Sequence, residues 1–141
     1  MDDPNAALKH AVEVVGRDPF ASLLGISVEE ARESYARTSI VLREKHCNAD
    51  GRTHGGVLFS VADQAFAVAA HASGCVGFAM EVKINFFEAT RPGDVVYAEA
   101  VPLDIRKKVS LWNVELTNRD GARIAFAQGL AYHKAWGDRA G

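Results

Sequence analysis

The stretch from residue 54 to 73 constrains this chain more than any other. It is the longest run of good helix formers, rich in alanine and apolar nearly all round, and a helix without a polar face is normally buried. Its most apolar part, 57–72, is short and interrupted by Asp63, Gln64 and His71, which argues against a membrane span. Whatever else the chain forms must therefore cover this helix.

The flanking segments supply the cover. Ala7, Leu8, Ala11, Val12 and Val15 recur at helical spacing and predict a helix over 5–15. Asp18-Pro19 is a capping acid followed by proline, a start signal for a short helix that stops at Gly25. Residues 26–31 and 35–43 read as two strands joined by a tight turn near Glu33-Ser34, followed by a polar loop over 46–53. Beyond the central helix, 77–87, 95–105, 109–117 and 122–133 read as strands. They are separated by Arg91-Pro92-Gly93-Asp94, a short basic turn and the hairpin signal Asn118-Arg119-Asp120-Gly121. The order predicts strands, one buried helix, then an antiparallel meander without crossover helices. That is an α+β fold in which a sheet wraps a long central helix, the hotdog plan. With no internal repeat or linker, 1–141 reads as one domain that includes the helical segment 1–24.

Composition narrows the function classes. A chain of 141 residues, 48% apolar and 24% charged, has the balance of a globular domain. Its formal net charge of -2 and lack of a long basic run disfavour nucleic acid and anionic membranes as partners. Two thiols, Cys47 and Cys75, read as reduced cysteines and not a disulfide framework. The start, Met1-Asp2-Asp3-Pro4, shows no basic region leading into an apolar one. The expected setting is cytoplasmic.

Chemistry concentrates where the central helix begins. Gly55 and Gly56 are poor helix formers at its start, but a helix N-terminus presents unpaired N–H groups that favour negative charge. Glycine lets a ligand approach them closely. A thioester carbonyl turning into an oxyanion would be stabilised there. Asp63 interrupts the apolar run, and a buried carboxylate is costly unless paired or used. In a semi-buried cleft it can serve as general base or as nucleophile. Eight residues separate it from Gly55, about 12 Å along one helix, whereas a reacting carbon must lie roughly 3 Å from both groups. Two antiparallel copies of the helix at a two-fold dimer interface satisfy that requirement, with Gly55 from one subunit and Asp63 from the other.

Asn48, His54-Gly55-Gly56 and Asp63, at these spacings, resemble the PaaI-type hotdog thioesterases. The resemblance runs from Asp18-Pro19-Phe20 and Leu24-Gly25 through Ile84-Asn85-Phe86-Phe87 and Arg91-Pro92-Gly93-Asp94 to the last strand. It implies an acyl-CoA thioesterase in which Asp63 is the catalytic carboxylate and Gly55 supplies the oxyanion N–H. Asn48 would position water or substrate, and His54 would hold the loop. It also implies a homo-oligomer, a dimer of dimers, without metal or bound cofactor. Some relatives carry serine or threonine on the strand after the central helix; here Ala79 and Met80 stand nearest, leaving Ser60 or Gln64 as substitutes.

Gly56 and the basic turn Arg106-Lys107-Lys108 are candidates for contacting substrate, the turn through CoA phosphates; a solvated hairpin tip is the plainer reading of the turn. His46, Cys47 and His54 match no zinc spacing. Phe59, Phe66, Phe86 and Phe87 read as core, interface or acyl-pocket lining, and Trp112 and Trp136 carry no readable role. The expected reaction is hydrolysis of a small or medium acyl-CoA, aromatic ones included. A non-catalytic acyl-CoA-binding protein and a hydratase or dehydratase using His54 with Asp63 are the alternatives.

Overall fold

A computed structural model describes residues 3–134; Trp136 lies outside the described residues. Helix α1, Pro4–Glu13, begins where the Asp3 carboxylate accepts the Asn5 N–H at 2.9 Å. A 3₁₀ turn, Val15–Arg17, leads into α2, Pro19–Leu24. Asp18 caps α2 by accepting the Ala21 N–H at 2.8 Å, and Gly25 closes it in the left-handed region at φ 86°. Both signals were local, and both ends fall where they predict.

Strands β1, Ser27–Arg32, and β2, Tyr35–Val41, form the first hairpin. The long helix α3, Gly55–Ala72, follows with His54 as its N-cap. Then come β3, Gly77–Phe86, β4, Val95–Ile105, β5, Val109–Thr117, and β6, Arg123–His133. All pairings are antiparallel, in the order β1-β2-β4-β5-β6-β3. The expected four-strand meander after the helix is therefore three strands long. β3 lies at the far edge beyond β6, and β4 pairs with β2. Tight turns force β4, β5 and β6 to be neighbours, whereas α3 before β3 and the longer connection over 87–94 leave its partner to packing.

The helix α3 packs against the sheet, touching all six strands. Ser110, Trp112, Val114 and Leu116 alternate inward along β5, as a half-buried strand requires. Among the described residues Trp112 is the largest fully buried side chain, its indole N–H donating to Ser110 Oγ at 2.7 Å. The Thr38 hydroxyl donates to the Val61 carbonyl at 2.9 Å, joining β2 to the helix. Gln64 Nε2 donates to the Val15 carbonyl at 2.7 Å and ties the N-terminal segment to the same helix. At Gly129 a Cβ would lie 2.6 Å from the Phe66 ring, so glycine lets α3 sit directly on β6.

One face of α3 escapes the sheet. Ser60, Asp63, Ala67 and His71 are partly exposed, three or four residues apart, and so form a stripe. The outer edge of β3 is open as well, with Phe78, Met80 and Phe86 about half exposed. Among the described residues, no helix is long and apolar enough to cross a membrane.

Candidate active site

The loop before α3 is braced from both sides. Asn48 Oδ1 accepts the N–H groups of Asp50 and Arg52 at 2.9 and 3.1 Å, so its carbonyl builds the loop and its amide nitrogen remains to donate. Thr53 N–H donates to the Thr90 carbonyl at 3.0 Å, and His54 N–H to the His46 carbonyl at 2.7 Å. His54 then caps α3 with its side chain: Nδ1 accepts the Gly56 N–H at 2.9 Å. That role requires a bare Nδ1. The Gly55 N–H, first of the helix, has no acceptor among the described residues.

Gly55 opens on a cleft of about 360 Å³ lined also by Asn48, Thr53, Leu58, Phe86 and Thr90. The Phe86 ring covers Gly55, and a Cβ there would meet it at 3.2 Å. A Cβ on Gly56 would meet His54 Nδ1 at 3.0 Å. Both glycines are thus places where the chain passes close to another group, one at the cleft and one at the cap.

Asp63 faces a second, smaller cleft of about 130 Å³, with Phe66, His71, Cys75 and Phe78 among its walls. Its carboxylate makes no hydrogen bond or ion pair with the described residues. Burial raises its pKa above the ordinary value, and the negative charge of Asp18 raises it further. A carboxylate so displaced takes a proton more readily, as a general base near neutral pH should. His71 is pushed the other way: burial lowers its pKa, opposed by its hydrogen bond to the Ala67 carbonyl at 2.8 Å. Its imidazole enters the cleft as a neutral wall.

Within one chain, the structure brings Asn48 and Gly55 to one cleft, with His54 and Gly56 immediately behind, and sets Asp63 in another. Arg106, Lys107 and Lys108 join neither. Their turn is held beside the start of β3, where His133 pairs with Gly77 and its N–H donates to the Lys108 carbonyl at 2.8 Å. Arg106 is paired with Asp104 at 2.9 Å on the surface. The Ser60 hydroxyl donates to the Gly56 carbonyl at 2.8 Å and Gln64 to Val15, so both are engaged within their own chain. Thr90 at the first cleft and Cys75 at the second had no signal in the sequence, because each arrives from a segment whose neighbours only folding decides; His71 had one, lying eight residues after Asp63 on the same helix face. Phe66 and Phe86 carried a weak one as aromatic residues near the motif.

Comparison with known proteins places the chain in a family. The Thioesterase superfamily model matches residues 50–125, more than half of the chain. A protein of Archaeoglobus fulgidus, named as a candidate esterase, is 35% identical over 115 residues, covering 82% of this chain and 75% of its own. The acyl-coenzyme A thioesterase PaaI of Escherichia coli is 28% identical over 126 residues, covering 89% and 90% respectively. The solved structure of the E. coli PaaI protein, from the phenylacetic acid degradation operon, superposes with a TM-score of 0.87 at 26% identity over 94% of this chain and 96% of its own. With the fold, the glycine-opened helix and this likeness in agreement, the chain belongs to the thioesterase superfamily, as a PaaI-type hotdog thioester hydrolase.

Proposed function

We propose that the protein hydrolyses a small or medium acyl-CoA to the free acid and CoA, at sites that two copies of the chain build together. Gly55 N–H of one copy would hold the carbonyl oxygen, and Asp63 of the other would drive the attack. The observation that carries this reading is that an unpaired, half-buried acid and an untaken helix-terminal amide lie on one helix but open on separate clefts. Each cleft holds half of the chemistry. The partly exposed stripe of α3 and the open β3 edge are the surfaces on which a second copy can join them.

In the general-base route, Asp63 takes a proton from water as the water oxygen bonds to the thioester carbon. The carbonyl π pair moves to oxygen and is received by the Gly55 amide, then returns as the carbon–sulfur bond breaks. CoA leaves as thiolate and takes up the proton. In the nucleophilic route, Asp63 oxygen bonds to the carbon and the carbon–sulfur bond breaks, releasing CoA thiolate; water then cleaves the resulting anhydride to the free acid and the Asp63 carboxylate, and its remaining proton goes to the thiolate. Either route consumes only water, and no cofactor is called for. The E. coli relative's name supports acyl-CoA as the substrate class. An aromatic acyl group suits the Asp63 cleft, whose volume of about 130 Å³ is close to the ~150 Å³ apolar cavity that admits benzene. The hydratase alternative needs His54 as a proton shuttle beside Asp63, and with His54 Nδ1 accepting the Gly56 N–H only Nε2 is left for that role.

Release of CoA thiol from an aryl and a short-chain acyl-CoA, by wild type and by folded Asp63→Asn, tests the proposal. The expected loss is about 100- to 10,000-fold. Turnover at the wild-type rate would remove the mechanism.

A further inference from the structure

The oxyanion donor proposed for Gly55 is useful only if it stands in the right place, and the structure shows what places it. His46 is 2% exposed. Buried polar nitrogens are costly unless bonded, and both ring nitrogens of His46 meet backbone. Nδ1 accepts the Arg43 N–H at 2.9 Å, and Nε2 lies 2.8 Å from the Leu24 carbonyl. A carbonyl only accepts, so the proton sits on Nε2. The backbone of the same residue holds the active loop: the His46 carbonyl accepts the His54 N–H at 2.7 Å.

One residue thus joins three points remote in sequence: the end of α2, the chain leaving β2, and the cap of α3. From His54 the constraint passes to Gly56 through the cap, and so to the direction of the neighbouring Gly55 amide. A filler of the same volume would keep the main-chain bond to His54 but lose the two side-chain anchors, to Arg43 and Leu24, that fix where that carbonyl stands. We propose that His46 is a positioning residue for the oxyanion-donating amide, acting through His54 and touching no substrate. This rests on the reading of Gly55 given above. An oxyanion donor works at roughly 2.7–3.1 Å, and a misplacement of about 1 Å can cost about 100-fold.

The test uses the full chain, CoA-thiol release with kcat and KM measured separately, and thermal melting of each variant. His46→Leu keeps neither hydrogen bond; His46→Gln keeps a donor that reaches Leu24. His46→Leu should lose about 10- to 100-fold in kcat with KM within about twofold, and His46→Gln should recover most of the loss. Where His46→Leu does not fold, His46→Asn, which retains an acceptor for Arg43 but cannot reach Leu24, should show the same split. A folded Leu or Asn variant with wild-type kcat overturns the assignment, as does a loss carried by KM alone. In ¹⁵N spectra of the wild type, the His46 ring should show a protonated Nε2 and a bare Nδ1; the opposite tautomer overturns it too. Asp63→Asn run beside these separates the two ideas. If that variant is dead while His46→Leu is fully active, only the positioning role fails; if it is active, the reading of the site itself fails.

Discussion

His54 Nδ1 takes the Gly56 amide hydrogen at 2.9 Å and leaves the Gly55 amide without an acceptor among the described residues. One cap therefore does two jobs: it satisfies one orphan donor of the helix N-terminus and leaves its neighbour available to an oxyanion. Replacing His54 with Ala should lower stability by about 1 kcal/mol, the usual worth of an N-cap, and lower kcat as well. His54→Asn, a good N-cap, should recover the melting temperature. Thermal melting and thiol-release rates measured on the same samples check both.

Gly55→Ala separates access from folding. Ala is a better helix former than Gly by up to about 1 kcal/mol, and the atoms a new Cβ would meet belong to the half-exposed Phe86 ring, which can turn away. The variant should melt at or above the wild-type temperature. If the methyl group keeps the thioester oxygen from the amide, kcat should fall by about 100- to 1,000-fold, the loss of one oxyanion donor. Full activity in a stable Gly55→Ala protein would show that a methyl group here does not obstruct the approach to this amide.

Shared sites predict rescue by mixing. In a dimer of one Asp63→Asn chain and one Gly55→Ala chain, one site carries both defects and the other carries neither. Co-expressed and randomly paired, two inactive variants should regain about a quarter of wild-type activity. A mixture as inactive as its components would place both groups in one subunit.

The pH dependence follows from burial. In the proposed role of base or nucleophile Asp63 must be ionised, and its pKa is raised by burial and by Asp18. The acid limb of kcat/KM should therefore lie above the range of an ordinary carboxylate. Asp18→Asn, which can still cap α2, should move that limb downward. A limb that stays within the range of an ordinary carboxylate in the wild type assigns the titration to another group.

The same shift has a sign in stability. A carboxylate whose folded pKa exceeds its unfolded value holds its proton more tightly when folded. The stability this contributes is present below the unfolded pKa and lost as pH rises through the folded one. Asp63→Asn should therefore melt higher than wild type at neutral pH. The difference should shrink as the solution is acidified below the ordinary carboxylate pKa. Melting curves across that range would show it, and a uniform difference would contradict it.

Where the chain's local chemistry is decisive, the sequence determined the outcome by itself. Asp18-Pro19 and Gly25 bound α2, Asn118-Arg119-Asp120-Gly121 joins β5 to β6, and the apolar run after His54 becomes α3. Caps, tight turns and periodicity act over a few residues, so they are visible before folding. The glycine pair and Asp63 stand out for the same reason, as residues at odds with the helix that carries them. Only the tertiary structure decided that β3 lies beyond β6, that Asp63 and Gly55 open on different clefts, and that His46 ties Leu24 and Arg43 to His54. Those relationships depend on contacts with segments that are, in the main, tens of residues away, as β3 with β6, Asp63's cleft with Phe78, and His46 with Leu24. They follow from how a sheet closes over a helix, and no local pattern encodes that closure.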